Sequence, residues 1–249
     1  MFLDSVRIDP SSSVQEIVSA HYGTAAIFRK YDIEYCCGAR WPLETVCLMK
    51  GVELEGLLRE LKDAIRTIEL PRNLPYENWS IDFLTEYIIN IHHQYVHQTV
   101  PDLGQALGDF AEEHSKNYPV YAAVRSHYRT LEEGIYPSMA QEENVIFPYL
   151  RQVADAFTRK DPIAGLFIKT LRKPVEKVMN NERDMLINAV TGFRKLTNNY
   201  EIPPKACTSH GVVLARLKAL DNELMQHVRL EHQILLPRVI EMEKQLLNT

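Results

Sequence analysis

Long apolar runs are missing from this chain. No stretch approaches membrane-spanning length, and residues 1–7 lack the apolar segment of a secretory leader, so a cytoplasmic location away from membranes is the expectation. Cysteine is scarce: four in 249 residues do not make a disulfide framework. A bond between the adjacent Cys36 and Cys37 would be strained, so reduced thiols are expected. An excess of basic charge is absent too. Lys and Arg number 28 against 33 Asp and Glu, a net charge of −5 with the cations scattered, which argues against nucleic acid as a partner. No low-complexity tract is present. What remains, 45% hydrophobic and 24% charged, suits a chain that buries a sizeable core.

Punctuation by proline and glycine divides the chain. Pro71 and Pro75 fall in a polar stretch, which separates a small helical domain over 1–70 from a larger one over 79–249 by a linker at 71–78. In the small domain Ser11, Ser12 and Ser13 offer N-caps to a first helix, and a second covers 24–30. A turn through Cys36 and Cys37 then ends at Gly38. Pro42 opens a third helix, Gly51 breaks it, and 53–66 forms a fourth.

The larger domain carries four apolar seams at helical spacing. They are Ile89, His93, Val96, Val100, Leu103, Leu107, Phe110; then Val124, Tyr128, Leu131, Ile135, Ser138, Glu142, Val145, Tyr149; then Met179, Arg183, Leu186, Val190, Phe193; and last Val213, Leu217, Leu220, Leu224, His227, Glu231, Ile234. Four amphipathic segments with connections between them predict an all-α, antiparallel four-helix bundle, kinked where Pro101, Pro137 and Pro148 fall in or beside helical pattern. Pro119 and Pro174 are expected near the starts of the second and third helices.

Each seam is interrupted by polar residues that point into the core: His93, Ser138, Glu142, Arg183, His227 and Glu231. Such groups cost free energy unless something satisfies them, and a bound cation is one candidate. Residues 138–148 also align without gaps on 227–237, pairing Ser138 with His227, Glu142 with Glu231 and Pro148 with Pro237. An H-x-x-x-E pair in both helices, with one His lost, explains the repeat. Periodicity leaves two registers open: His92 in place of His93 facing inward, and Glu182 in place of Arg183. His114, His127 and His210 have no spacing partner and are expected at the surface.

The vicinal pair in the stretch from Asp32 to Ala39, followed by a bundle with H-x-x-x-E on its last helix, resembles the repair of iron centres family over nearly the whole chain. The resemblance implies a hemerythrin-like di-iron bundle with four histidine ligands and two bridging glutamates. His93, Glu142, His227 and Glu231 then match metal ligands, while Ser138 and Arg183 replace the remaining two histidines. Arg cannot donate a lone pair to a metal, and as an inward cation it would pair with Glu142 and Glu231. Breaking such a buried pair costs about 3–5 kcal/mol. The expectation is therefore a degraded site that binds at most one metal (iron, manganese or zinc), or none if His93 and His227 serve different ions.

The function that this resemblance implies is iron–sulfur cluster repair or iron handling under nitrosative and oxidative stress, with iron as cofactor. Cys36 and Cys37 would act in redox chemistry, with Arg29, Lys30 and Arg40 nearby to favour a thiolate. The implied partners are damaged iron–sulfur proteins, met through the N-terminal domain, and a homodimeric second copy. A metal-free regulatory or interaction protein, with Arg183 closing the old pocket, is the competing reading. Catalysis such as nitric oxide or peroxide reduction would need an open coordination position on a redox metal, and no catalytic residue is assigned.

Overall fold

The structure is a computed structural model that describes residues 8–36, 39–65, 74–161 and 163–248. The chain divides into two compact units: residues 1–72 together with 200–218, and residues 73–199 together with 219–249. Cys37, Gly38 and residues 66–73, the linker's first three included, lie outside the described residues.

The small unit is built from α1 (Val14–Ala20), α2 (Ala25–Lys30), α3 (Leu43–Lys50) and α4 (Leu54–Ile65). Of the three serines Ser13 is the cap: its hydroxyl accepts from the Glu16 N–H at 3.2 Å, while Glu16 accepts from the Ser13 N–H at 2.9 Å. This reciprocal pair satisfies two end donors of a seven-residue helix that has little intrinsic stability. Gly51 ends α3 at φ +69°, a left-handed conformation that a side chain resists. The core is Val14, Ile17, Phe28, Leu43, Leu57 and Leu61, completed by Val212 from the second chain segment. Gly211 belongs to that segment too, and any side chain there would run into the Tyr22 ring. Residues 200–218, expected in the bundle, thus pack with the small unit.

The larger unit has four arms. The first is α5 (Ile81–Tyr87) and α6 (Gln94–Glu113), the second α7 (Val120–Gln141) and α8 (Phe147–Arg159), and the third α9 (Ala164–Leu196). The fourth combines the later half of α10 (Thr208–Arg229) with α11 (Leu236–Leu247). Cross-contacts give the directions. Tyr128 donates to Val100 O (2.8 Å), His127 Nε2 lies 3.0 Å from Ala189 O, and Arg194 grips Asp221 with two 2.7 Å bonds, so neighbouring arms run antiparallel. Gly192 of α9 is what lets the His127 ring approach that closely. Residues 76–78, expected in the linker, form a 3₁₀ turn in this unit, and Arg238 donates to Trp79 O at 2.6 Å.

Pro101, Pro137 and Pro174 lie inside helices that continue past them, and Pro174 is ten residues into α9 instead of near its start. The stronger irregularities are three π-helical turns that the seams did not predict: Ile88–His93, Glu142–Ile146 and Leu230–Leu235. A π turn adds one residue and leaves an α-helical carbonyl without its usual N–H. The side chains of Asn90 and Asn144 supply that donor, bonding Glu86 O and Ala140 O at 2.8 and 2.7 Å. Pro148 and Pro237 follow the later two turns, where the wider backbone accommodates a ring that clashes with the carbonyl four residues back. No helix among the described residues is long and apolar enough to cross a membrane.

Candidate metal centre

All three π turns carry their polar residues to one level of the bundle. His93 ends the first, Glu142 begins the second, Glu231 is the second residue of the third, and His227 sits in the last turn of α10. One ligand atom from each of the four lies within 4.8 Å of every other, and all four residues are buried. His93 Nε2 is 3.3 Å from Glu142 Oε2, and His227 Nε2 is 3.2 Å from Glu231 Oε1 and 3.9 Å from Glu142 Oε2. These approaches are close but not aligned for hydrogen bonding. Both oxygens of Glu142, Oε1 of Glu231, Nε2 of His93 and both nitrogens of His227 are buried without a hydrogen-bonding partner.

The π turn settles the choice between His92 and His93, because both are inside. An added residue swings the helix face, so adjacent positions share the interior. His93 Nδ1 is 2.7 Å from Glu143 Oε1, and His92 Nδ1 is 2.6 Å from Glu223 Oε1. Each carboxylate accepts the Nδ1 proton and leaves the Nε2 lone pair facing the interior, the tautomer a metal requires. The His92 ring stacks on that of His227 at 6.2 Å. The same irregularity moves the second seam by one: Val145 is exposed and Ile146 buried.

Arg183 does not face the core. Along α9 the buried positions step Met179, Glu182, Leu186, Val190, so at this turn the shorter step turns Glu182 inward. The guanidinium lies outside against Asp184, with bonds of 3.1 and 2.9 Å from Nε and Nη2 to Oδ1. The expected pairing of Arg183 with Glu142 and Glu231 is corrected accordingly. Taking a guanidinium out of water costs several kcal/mol, whereas on the helix exterior it keeps its hydration and still finds a carboxylate. Glu182 is buried with both oxygens unpartnered beside Glu142, and half-buried Ser138 borders it. The centre therefore contains three carboxyls and no guanidinium.

Burial dominates the electrostatics. It holds His93 and His227 at about 4, the former helped by the neighbouring His227, so both imidazoles are neutral. Burial pushes Glu231 up to about 7 and Glu142 well above the carboxylate range, with the Glu231 charge adding to the second effect; Glu182 is raised as well. Neutral imidazoles and carboxyls reluctant to ionise are what this donor set becomes with no cation beside it. The residues fit a metal ion: unpartnered buried lone pairs of nitrogen and oxygen converge, with Glu143 orienting the His93 ring and Glu223 that of the adjacent His92.

The structure brings together the four residues expected as ligands and sets beside them Glu143 and Glu223, which sequence reasoning missed. The signals available for the π turns were Asn90, Asn144, Pro148 and Pro237. In the small unit Cys36 is half-buried and Lys30 is held by Glu60 at 2.8 Å. His210, expected at the surface, is buried.

Comparison with known proteins agrees with this geometry. The profile of the hemerythrin HHE cation binding domain matches residues 84–239, and that of ScdA_N, a domain of unknown function (DUF542), matches residues 10–65. The iron–sulfur cluster repair protein YtfE of Enterobacter sp. (strain 638) is 25% identical over 90% of this chain and 94% of its own length. Its namesake in Escherichia coli O17:K52:H18 (strain UMN026 / ExPEC) is 26% identical over 87% of this chain and 90% of its own length. A cation-binding bundle that covers more than half the chain, preceded by the vicinal-cysteine module, makes this protein a member of the hemerythrin HHE family and, within it, of the repair of iron centres proteins.

Proposed function

We infer that the bundle binds iron at His93, Glu142, His227 and Glu231 and that the protein serves iron–sulfur cluster repair or iron handling. The observation that carries this is the set of buried, unpartnered nitrogen and oxygen atoms from three helical arms within 4.8 Å of one another. Relatives named for iron–sulfur cluster repair supply the biological setting. Bound iron would supply a redox-active ion that can be held or surrendered. The chain's own part is to keep the imidazoles of His93 and His227 neutral by burial and to orient that of His93 through Glu143. Damaged iron–sulfur proteins are the proposed clients, met through the N-terminal module.

The reading is of one four-ligand ion position, adjoined by the Glu182 carboxyl. With its guanidinium on Asp184, Arg183 does not limit the pocket to one metal, and stoichiometry decides. Metal analysis of protein purified from iron-supplemented cells is expected to give one iron per chain, lost on Glu142→Gln. Two irons would show that Glu182 completes a second position and would end the single-ion reading. None, with or without supplementation, would end the iron reading altogether.

A further inference from the structure

The small unit is assembled from two chain segments, residues 1–72 and 200–218, with three arms of the bundle between them in sequence. Each segment brings a cysteine to the same place. Cys36 lies in the irregular stretch between α2 and α3, Cys207 directly precedes the first residue of α10, and both are half-buried. Their sulfur atoms lie within 4.8 Å of one another. Sulfur atoms of a disulfide are about 2.0 Å apart, so closing the bond requires side-chain rotation and local backbone adjustment. The three described cysteines, Cys36, Cys47 and Cys207, carry no disulfide.

We propose that Cys36 and Cys207 form a thiol–disulfide couple, a modification site that exchanges with low-molecular-weight disulfides and, once oxidised, covalently joins the two segments of the small unit. Three features single out this pair. A cysteine next to Cys36 in sequence is a poor partner, because adjacent residues make a strained eight-membered ring, whereas Cys207 approaches from a separate segment. Cys207 stands at the N-terminal end of a 22-residue helix, where the aligned peptide dipoles favour a negative sulfur. Cys47 serves as the internal contrast: it is buried in the small core and burial pushes its thiol up, which makes it inert.

The chemistry balances with a disulfide RSSR as the oxidant. The Cys207 thiolate attacks one sulfur, the S–S bond of RSSR breaks, and RS⁻ leaves while a mixed disulfide forms on Cys207. The Cys36 thiolate then attacks the Cys207 sulfur and expels the second RS⁻. The two protons given up by the protein thiols end on the two RS⁻ groups, so one RSSR is reduced by two electrons and the protein is oxidised by two. The cross-link ties down a unit too small to hold itself together strongly, and a reducing thiol reverses it.

The test incubates the full chain in glutathione buffers of graded oxidised-to-reduced ratio, quenches with acid, alkylates, digests without reduction and weighs the peptides. The expected product is a peptide pair joined through Cys36 and Cys207, two hydrogens lighter than the sum of its parts and reversed by dithiothreitol, with Cys47 alkylated throughout. Cys37→Ser retains the cross-link, and Cys36→Ser leaves glutathione trapped on Cys207. A Cys36–Cys37 disulfide as the sole product would overturn the proposal, as would stable glutathione adducts without cross-link, or no oxidation, in the wild-type chain. The wild-type map decides by itself even if a variant folds poorly.

Discussion

Two places in the same bundle bury glutamate, and they treat it in opposite ways. Glu243 of α11 is buried, but the Tyr149 hydroxyl of α8 donates to its Oε1 at 2.5 Å, and its Oε2, which has no hydrogen bond, forms an ion pair with Arg172 of α9 at 3.0 Å. Burial raises this carboxyl, while Tyr149 and Arg172 oppose the rise. At the level of the π turns, Glu142 and Glu182 have no such partners on either oxygen, and Glu231 lacks one on Oε1. The fold can therefore satisfy an interior carboxylate from its own side chains, and at the candidate centre it does not. A cation bound from outside the chain would supply the partner that these carboxyls lack.

Substitutions in metal-free protein should separate the two kinds of buried glutamate by the sign of their effect. Arg172→Leu strands the Glu243 charge and is expected to cost about 3 kcal/mol, the low end for a broken buried pair because the guanidinium is partly in water. Glu142→Gln replaces a carboxyl that burial keeps from ionising and that has no hydrogen-bonding partner, and should stabilise by about 1 kcal/mol. Urea denaturation of both variants checks the signs. If the two changes destabilise alike, the glutamates do not differ in the manner argued. Anaerobic ferrous iron extends the test: at a hundredfold excess over its dissociation constant it should raise wild-type unfolding free energy by about 2.7 kcal/mol and leave Glu142→Gln unmoved.

A smaller effect is expected one residue further along. Glu143→Gln keeps a group that can accept from His93 Nδ1 but removes the negative charge that steadies the ring. Metal affinity is expected to fall about tenfold, the lower end for an outer partner of a ligand, with the stability of the metal-free chain little changed. A competition titration against a coloured chelator reads this. An unchanged affinity would mean that the 2.7 Å contact of Glu143 is incidental to the centre.

The four arms were legible because core leucines, valines and aromatics repeat at helical spacing over several turns, and the fourth seam holds at every position from Val213 to Ile234. The four candidate ligands were legible because polar residues broke those seams. What could not be read was the one-residue addition at each π turn, since a seam extrapolated through Glu142 puts Val145 inside where the chain puts Ile146. The same blindness made His92 and His93 look like alternatives. In α9 the obstacle was different: Glu182 and Arg183 both lie a plausible step from Met179, and only the cost of desolvating each head group against its neighbours separates them.

That separation yields the smallest predicted effect and the one on which the centre's charge depends. Arg183→Ala removes a guanidinium that is 37% exposed and held by Asp184, itself 61% exposed, and surface pairs of this kind contribute about 0–1 kcal/mol. Stability is expected to move by less than about 0.5 kcal/mol, and iron per chain should stay as in the wild type. Were the guanidinium the cation that neutralises Glu142 and Glu231, the same substitution would cost about 3–5 kcal/mol and would open the pocket to more metal. A large loss of stability together with a gain of iron would return Arg183 to the interior; near-silence in both measurements leaves the three carboxyls to an ion from solution.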